Sequence, residues 1–158
     1  MRCACHATVT IKPSTVAEMR RHGPALFKAH YEEVALNKDI TKLDPDWESY
    51  AKLEKMDLLI MLAAWREKKL IGYSASVLVP QHLHYRDICY AQNDVLFVAP
   101  EHRGGSLGAR LIRETEQAAR EHGATRYFWH AKKGSALDRL LGHREIYIVN
   151  DIIYSRVL

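Results

Sequence analysis

Arg103-Gly104-Gly105-Ser106-Leu107-Gly108 packs a forked cation, a hydroxyl and three glycines into one short run. It lies just after an apolar stretch ended by Pro100 and merges into a helical pattern. A helix N-terminus presents unpaired amides and the positive end of its dipole. Glycines ahead of it let the backbone approach an anion closely, and an arginine adds a fixed charge with paired donors. Arg103, Gly104, Gly105, Ser106, Leu107 and Gly108 are therefore candidates for holding a pyrophosphate. A tight strand-to-helix turn without a ligand would use the same glycines. Two phosphate motifs do not fit. The Gly-Lys-Ser/Thr of a P-loop is absent, and the glycines follow three antiparallel-looking strands rather than opening a βαβ unit.

Asp94 is the second chemical candidate. A carboxylate within an otherwise apolar strand is costly unless it is paired, solvated in a cleft or functional. A structural cap or ion pair would also explain it.

These residues need elements to position them. "ATVTIK" alternates as a short strand does. Two short helices are predicted after Pro13, broken near Gly23-Pro24, and a third from an Asp44 cap with Pro45 in its first turn to about Lys55. "DLLIMLAAW", "REKK" and "LIGYSASVLVP" read as strand, turn and strand, a β-hairpin. "RDICYAQNDVLFV" is a further strand. Leu107, Leu111, Ile112, Thr115, Ala118 and Ala119 form one face of a helix that Gly123 would end. "TRYFWHA" reads as a strand, and a short helix follows over Ser135 to Leu141. "EIYIVNDIIYSRVL" reads as two closing strands about Asn150-Asp151.

The chain has 158 residues, 47% apolar and 27% charged, which suits one soluble domain spanning 1–158. No apolar run reaches the roughly 20 residues of a membrane span, and no signal-peptide pattern opens the chain, so a cytoplasmic protein is expected. Three cysteines imply no disulfide framework. Cys3, Cys5 and His6 fit no common zinc spacing, and no metal is expected. A formal charge of +4 favours anionic partners, either a small polyphosphate or nucleic acid.

With "LFVAPEH" ahead of it, the Arg103–Gly108 run resembles the signature of the GCN5-related N-acetyltransferase (GNAT) superfamily, Arg/Gln-x-x-Gly-x-Gly/Ala. The order of elements matches that family from about Val9 to the end of the chain. Ser106 stands where the family usually has its first signature glycine, and Gly105 is expected to take the conformation that needs no Cβ. The resemblance implies an α/β single domain: a central, mixed, mostly antiparallel twisted sheet of about seven strands flanked by helices, splayed between strands 4 and 5, the fifth over Arg126 to Ala131. It implies acetyl-CoA as co-substrate, held through its pyrophosphate by amides 104 to 108. Phe97 and Val98, at an expected bulge, would pair with the pantetheine arm like an added strand.

The implied activity is transfer of acetyl to a primary amine. Asp94 lies close to the family's usual acid position, held here by Gln92 and Asn93. The tyrosine that many members carry on the last helix is missing from Asp138 to Leu140, leaving His130 and Tyr147 as stand-ins for the acid that protonates the leaving thiolate. Lys132 and Lys133 are further candidates for cofactor phosphates. Glu32, Glu33 and Asp87 could attract a cationic acceptor, whereas Trp47, Trp65 and Trp129 read as core. Two other readings compete: a non-catalytic CoA-binding or interaction module, and a protein that binds or modifies nucleic acid. The terminal strands could also pair with a second copy as a homodimer.

Overall fold

The run Leu58–Trp65 does not alternate because its strand is covered on both sides. The computed structural model describes residues 8–156, so Cys3, Cys5 and His6 lie outside it. Five strands, β1 (Val9–Pro13), β2 (Leu59–Arg66), β3 (Lys69–Val79), β4 (Tyr90–Val98) and β5 (Arg126–Phe128), form one sheet in sequence order. Pairing is antiparallel from β1 to β4 and parallel between β4 and β5. A parallel neighbour requires a crossover, and helix α4 (Leu107–Glu121) supplies it.

Helices α1 (Val16–His22), α2 (Pro24–Val34) and α3 (Trp47–Lys55) cover the opposite face from α4. Met61, Ala63, Tyr73 and Ala75 pack there against Val16, Met19 and Leu26. Leu62, Ala64 and Ile71 pack against Leu107 and Leu111 of α4. Alternate residues of one strand thus serve two cores, which is why β2 reads as an unbroken apolar run. Between sheet and α4, the buried Ser74 hydroxyl lies 2.6 Å from Thr115 Oγ1, which itself donates to the Leu111 carbonyl at 2.7 Å. Thr115 has only one proton to give, so Ser74 is the donor to it. Helix α5 (Ala136–Gly142) follows β5, capped by Ser135, whose Oγ accepts from the Asp138 amide.

Several expectations are corrected. The α3 cap is Asp46, not Asp44: its Oδ1 accepts from the Ser49 amide at 3.0 Å. β4 begins at Tyr90, and the preceding residues form turns. The sheet has five strands rather than about seven. Residues 145–156 join no strand, and Ile148, Val149 and Tyr154 are at least 80% exposed. A period-two pattern says how a segment would face once paired; it does not supply an edge to pair with. Here the two edge strands, β1 and β5, are only five and three residues long.

Candidate active site

The glycine turn is a tight bend followed by a run of free donors. Gly104 has φ +86, while Ser106 sits at φ −84, ψ −3, where a Cβ costs nothing. Gly104, not Gly105, therefore takes the glycine-dependent conformation. The first helical hydrogen bond of α4 runs from the Arg110 amide to the Ser106 carbonyl at 2.8 Å. The amides of residues 104 to 109 find no acceptor among the described residues. A Cβ placed on Gly104 or Gly105 would meet nothing within 4 Å, so the approach to these amides is open. Donors, dipole and clearance fit a diphosphate.

Arg103 ties the turn to its neighbours. Its guanidinium makes a forked pair with Glu33 of α2, at 3.0 Å and 2.8 Å, and its Nε donates to the Val98 carbonyl at 2.8 Å. It also lies 5.0 Å from the centroid of the Phe97 ring. Such a bidentate pair holds geometry as well as charge. Arg103 braces the turn against β4 and α2, and the Val98 carbonyl expected to meet pantetheine already has a partner.

Turn and sheet open onto a cavity of about 960 Å³, lined by α2, α3, β4, the glycine turn and α5. Its floor is shaped by a bulge in β4. Ser76 pairs with Asn93 and Ala75 with Val95, leaving Asp94 as the extra residue. The bulge expected near Phe97 and Val98 is therefore at Asp94. Its effect is a change of phase. Before it, Ala91 faces the α4 side; after it, Val95 and Phe97 face α1–α3. Asp94 lines the cavity, with its carboxylate accepting a hydrogen bond from Tyr50 Oη of α3.

Asn93 works at the other edge of β4. The β4–β5 ladder covers only Tyr90 to Gln92 against Arg126 to Phe128. Beyond it, the buried Asn93 side chain accepts from the His130 amide at 2.5 Å and donates to the His130 carbonyl at 3.3 Å. A side chain replaces the main-chain ladder at this point.

The wall facing Asp94 is aromatic. His30 stacks on Phe97, with centroids 4.6 Å apart, and its Nδ1 lies 2.7 Å from Tyr73 Oη. Phe27 touches Tyr73 edge-on at 5.0 Å and Trp47 at 5.7 Å. Burial pulls His30 down to about 4, so its imidazole is neutral near pH 7. Burial, reinforced by Asp94, pushes the Tyr50 phenol up; burial does the same to Tyr73. All three side chains are thus uncharged at neutral pH.

The cavity gathers Asp94, His130, Phe97, Val98, Arg103, Gly104, Gly105 and Gly108. Ser106 and Leu107 are outside the lining, and the Leu107 side chain is buried between α4 and the sheet. Glu33, Lys132 and Trp47 also line the cavity. Lys132 donates from Nζ to the Val34 carbonyl at the end of α2. Glu32 pairs with Lys38, and Asp87 and Lys133 are outside the lining. Tyr147 is outside it too, donating to Glu116 at 2.7 Å beside Trp129, which donates to the same oxygen. Sequence reasoning missed Tyr50, Tyr73 and His30. Only the single glutamine-asparagine-aspartate break in an apolar strand hinted at Asn93.

No curated protein matches the sequence. Solved structures match over nearly the whole chain. An aminoglycoside acetyltransferase from an uncultured soil metagenomic sample, solved with sisomicin, superposes with a TM-score of 0.72 at 22% identity, covering 95% of this chain and 96% of that one. A ribosomal-protein-alanine N-acetyltransferase from Brucella melitensis biovar Abortus 2308 gives 0.67 at 18%, covering 96% and 99%. A predicted acetyltransferase from Clostridium acetobutylicum, solved with acetyl-CoA, gives 0.64 at 11%, covering 91% and 96%. At these identities the likeness speaks for the fold. Residues 25–139 match the family model described as Acetyltransferase (GNAT) family. With that match over most of its length, and with an open amide turn leading into α4, the chain belongs to the GNAT family of acetyltransferases.

Proposed function

We propose that this protein transfers the acetyl group of acetyl-CoA directly to a primary amine, with the diphosphate on the amides of residues 104 to 109. One observation carries the reading: those amides lack acceptors among the described residues, and Gly104, Gly105, Gly108 and Ala109 line the same cavity as Asp94. Acetyl-CoA supplies a thioester carbonyl, at which the amine nitrogen forms a bond as the carbon–sulfur bond breaks.

The residues divide the remaining work. Asp94, fixed by Tyr50, receives the ammonium and takes the proton that must leave before attack. The β4–β5 ladder ends at Gln92 and Phe128, with Asn93 bonded to His130 beyond it, which supports a slot for the pantetheine arm beside Val95 to Phe97. His130 lies at the mouth of that slot and is the candidate to return a proton to the departing sulfur. Arg103 is a positioning residue, since its contacts are to Glu33 and Val98. In balance, an ammonium and a thioester give an amide, a free thiol and one released proton.

The test is release of CoA thiol with a panel of amines, for the natural protein and Asp94→Asn. The variant is expected to lose at least about a hundredfold in kcat/KM, the usual scale for a positioned base, with unchanged CoA affinity. Tight acetyl-CoA binding without turnover on any amine would overturn the enzyme reading.

A further inference from the structure

We propose that the acceptor is a small monoamine whose primary ammonium is joined by a short aliphatic linker to an aromatic ring. The inference rests on the acetyltransferase reading above and concerns the part of the cavity beyond Asp94.

Two features of that part select the acceptor. The first is charge. The cavity lining holds three carboxylates, Glu33, Asp44 and Asp94, and three cations, Lys42, Arg103 and Lys132. Glu33 is taken by Arg103 in a forked pair. Asp44 lies on the exposed loop before α3. Asp94 is thus the carboxylate that stands among the aromatic rings, through its bond to Tyr50. One carboxylate matches one ammonium. A further ammonium of a polyamine or aminoglycoside would find no other free carboxylate in the lining than Asp44 on that exposed loop, away from the rings around Asp94 and sharing the lining with Lys42 and Lys132.

The second feature is the wall itself. Phe27, Trp47, Tyr50 and Tyr73 form a chain of rings with neighbouring centroids 5.0 to 6.0 Å apart. Tyr50 belongs to both features, because its hydroxyl meets Asp94 while its ring adjoins Trp47. An ammonium on Asp94 therefore has an aromatic surface one ring away, and a body carried on a short linker would lie across Trp47 and Phe27. Stacked and edge-on ring contacts favour an aromatic body there over a hydroxylated one, whose oxygens would find few partners. The uncharged His30 and Tyr73 add no competing charge.

Initial rates of CoA release, at saturating acetyl-CoA, are compared for 2-phenylethylamine, putrescine and sisomicin. The expected kcat/KM for 2-phenylethylamine exceeds both others by at least about tenfold, equivalent to roughly 1.4 kcal/mol. Equal or better turnover of putrescine or sisomicin would overturn the proposal. Calorimetric titration of 2-phenylethylamine into the protein with CoA present reads the pocket without catalysis. Trp47→Leu, checked for folding by circular dichroism, is expected to weaken that Kd about tenfold, and Tyr50→Phe, which keeps the ring, about threefold. Absence of binding, or an unchanged Kd in Trp47→Leu, would also overturn it. If no amine is acetylated, the enzyme reading fails, while the titration still decides whether the pocket takes an aromatic amine.

Discussion

Adjacent glycines give a paired test of the anion cradle. Gly104 lies at φ +86 and Gly105 lies outside the left-handed region, yet a Cβ on either would meet nothing within 4 Å. Gly104→Ala should therefore cost only backbone strain, about 1–2 kcal/mol. In a domain of this size each kcal/mol lowers Tm by roughly 2–4 °C, so a fall of about 2–8 °C is expected. Gly105→Ala carries no such strain, and its stability should stay within about 0.5 kcal/mol of the natural protein or rise slightly, as the unfolded chain loses freedom. The methyl group would nevertheless stand on the open approach to amides 104 to 109. Losing one charge-assisted hydrogen bond costs about 1.5–3 kcal/mol, so CoA affinity should fall by roughly 10- to 150-fold. Thermal melts and calorimetric CoA titration on both variants measure the two effects. Full CoA affinity in Gly105→Ala would refute the cradle, and a Tm loss in it as large as in Gly104→Ala would refute the conformational argument.

Other outcomes follow from particular contacts. Thr115→Val leaves the buried Ser74 hydroxyl without its acceptor and should cost about 1–3 kcal/mol in denaturant unfolding, most of which Ser74→Ala in the same chain should recover. Because burial lowers His30 from 6.5 to about 4, the unfolded chain binds the proton first on acidification; stability is full above pH 6.5 and declines as the pH falls toward 4. Allowing for the partly open cavity, that decline is about 2 kcal/mol, and it should be absent from His30→Gln when unfolding is followed across the range. Asn93→Ala strips the His130 amide and carbonyl of their partner and should lower kcat/KM more than tenfold while thermal melts still show a folded protein. Undiminished turnover there would remove the slot between β4 and β5 from the mechanism.

The glycine spacing located the strand-to-helix turn, because a bend of this kind is a local feature set by a few consecutive residues. The β2–β3 hairpin and α4 were equally legible: one is two apolar runs about a polar turn, and the other is a single face at helical spacing. Local pattern misled at the C-terminus, where Ile146 to Tyr154 alternate or cluster like strands yet find no edge. Nor does local pattern show the partner of Arg103, whose fork meets Glu33, seventy residues away in the chain.

The sequence by itself determined where the backbone must turn, which faces are apolar and which family signature the chain carries, since each depends on near neighbours. Only the tertiary structure decided what stands opposite Asp94. Tyr50 reaches it from α3, Tyr73 and His30 complete the wall from β3 and α2, and a single extra residue in β4 changes which face its side chains serve. Such contacts join residues more than forty positions apart, and their identity is fixed by packing between layers rather than by any periodicity along the chain.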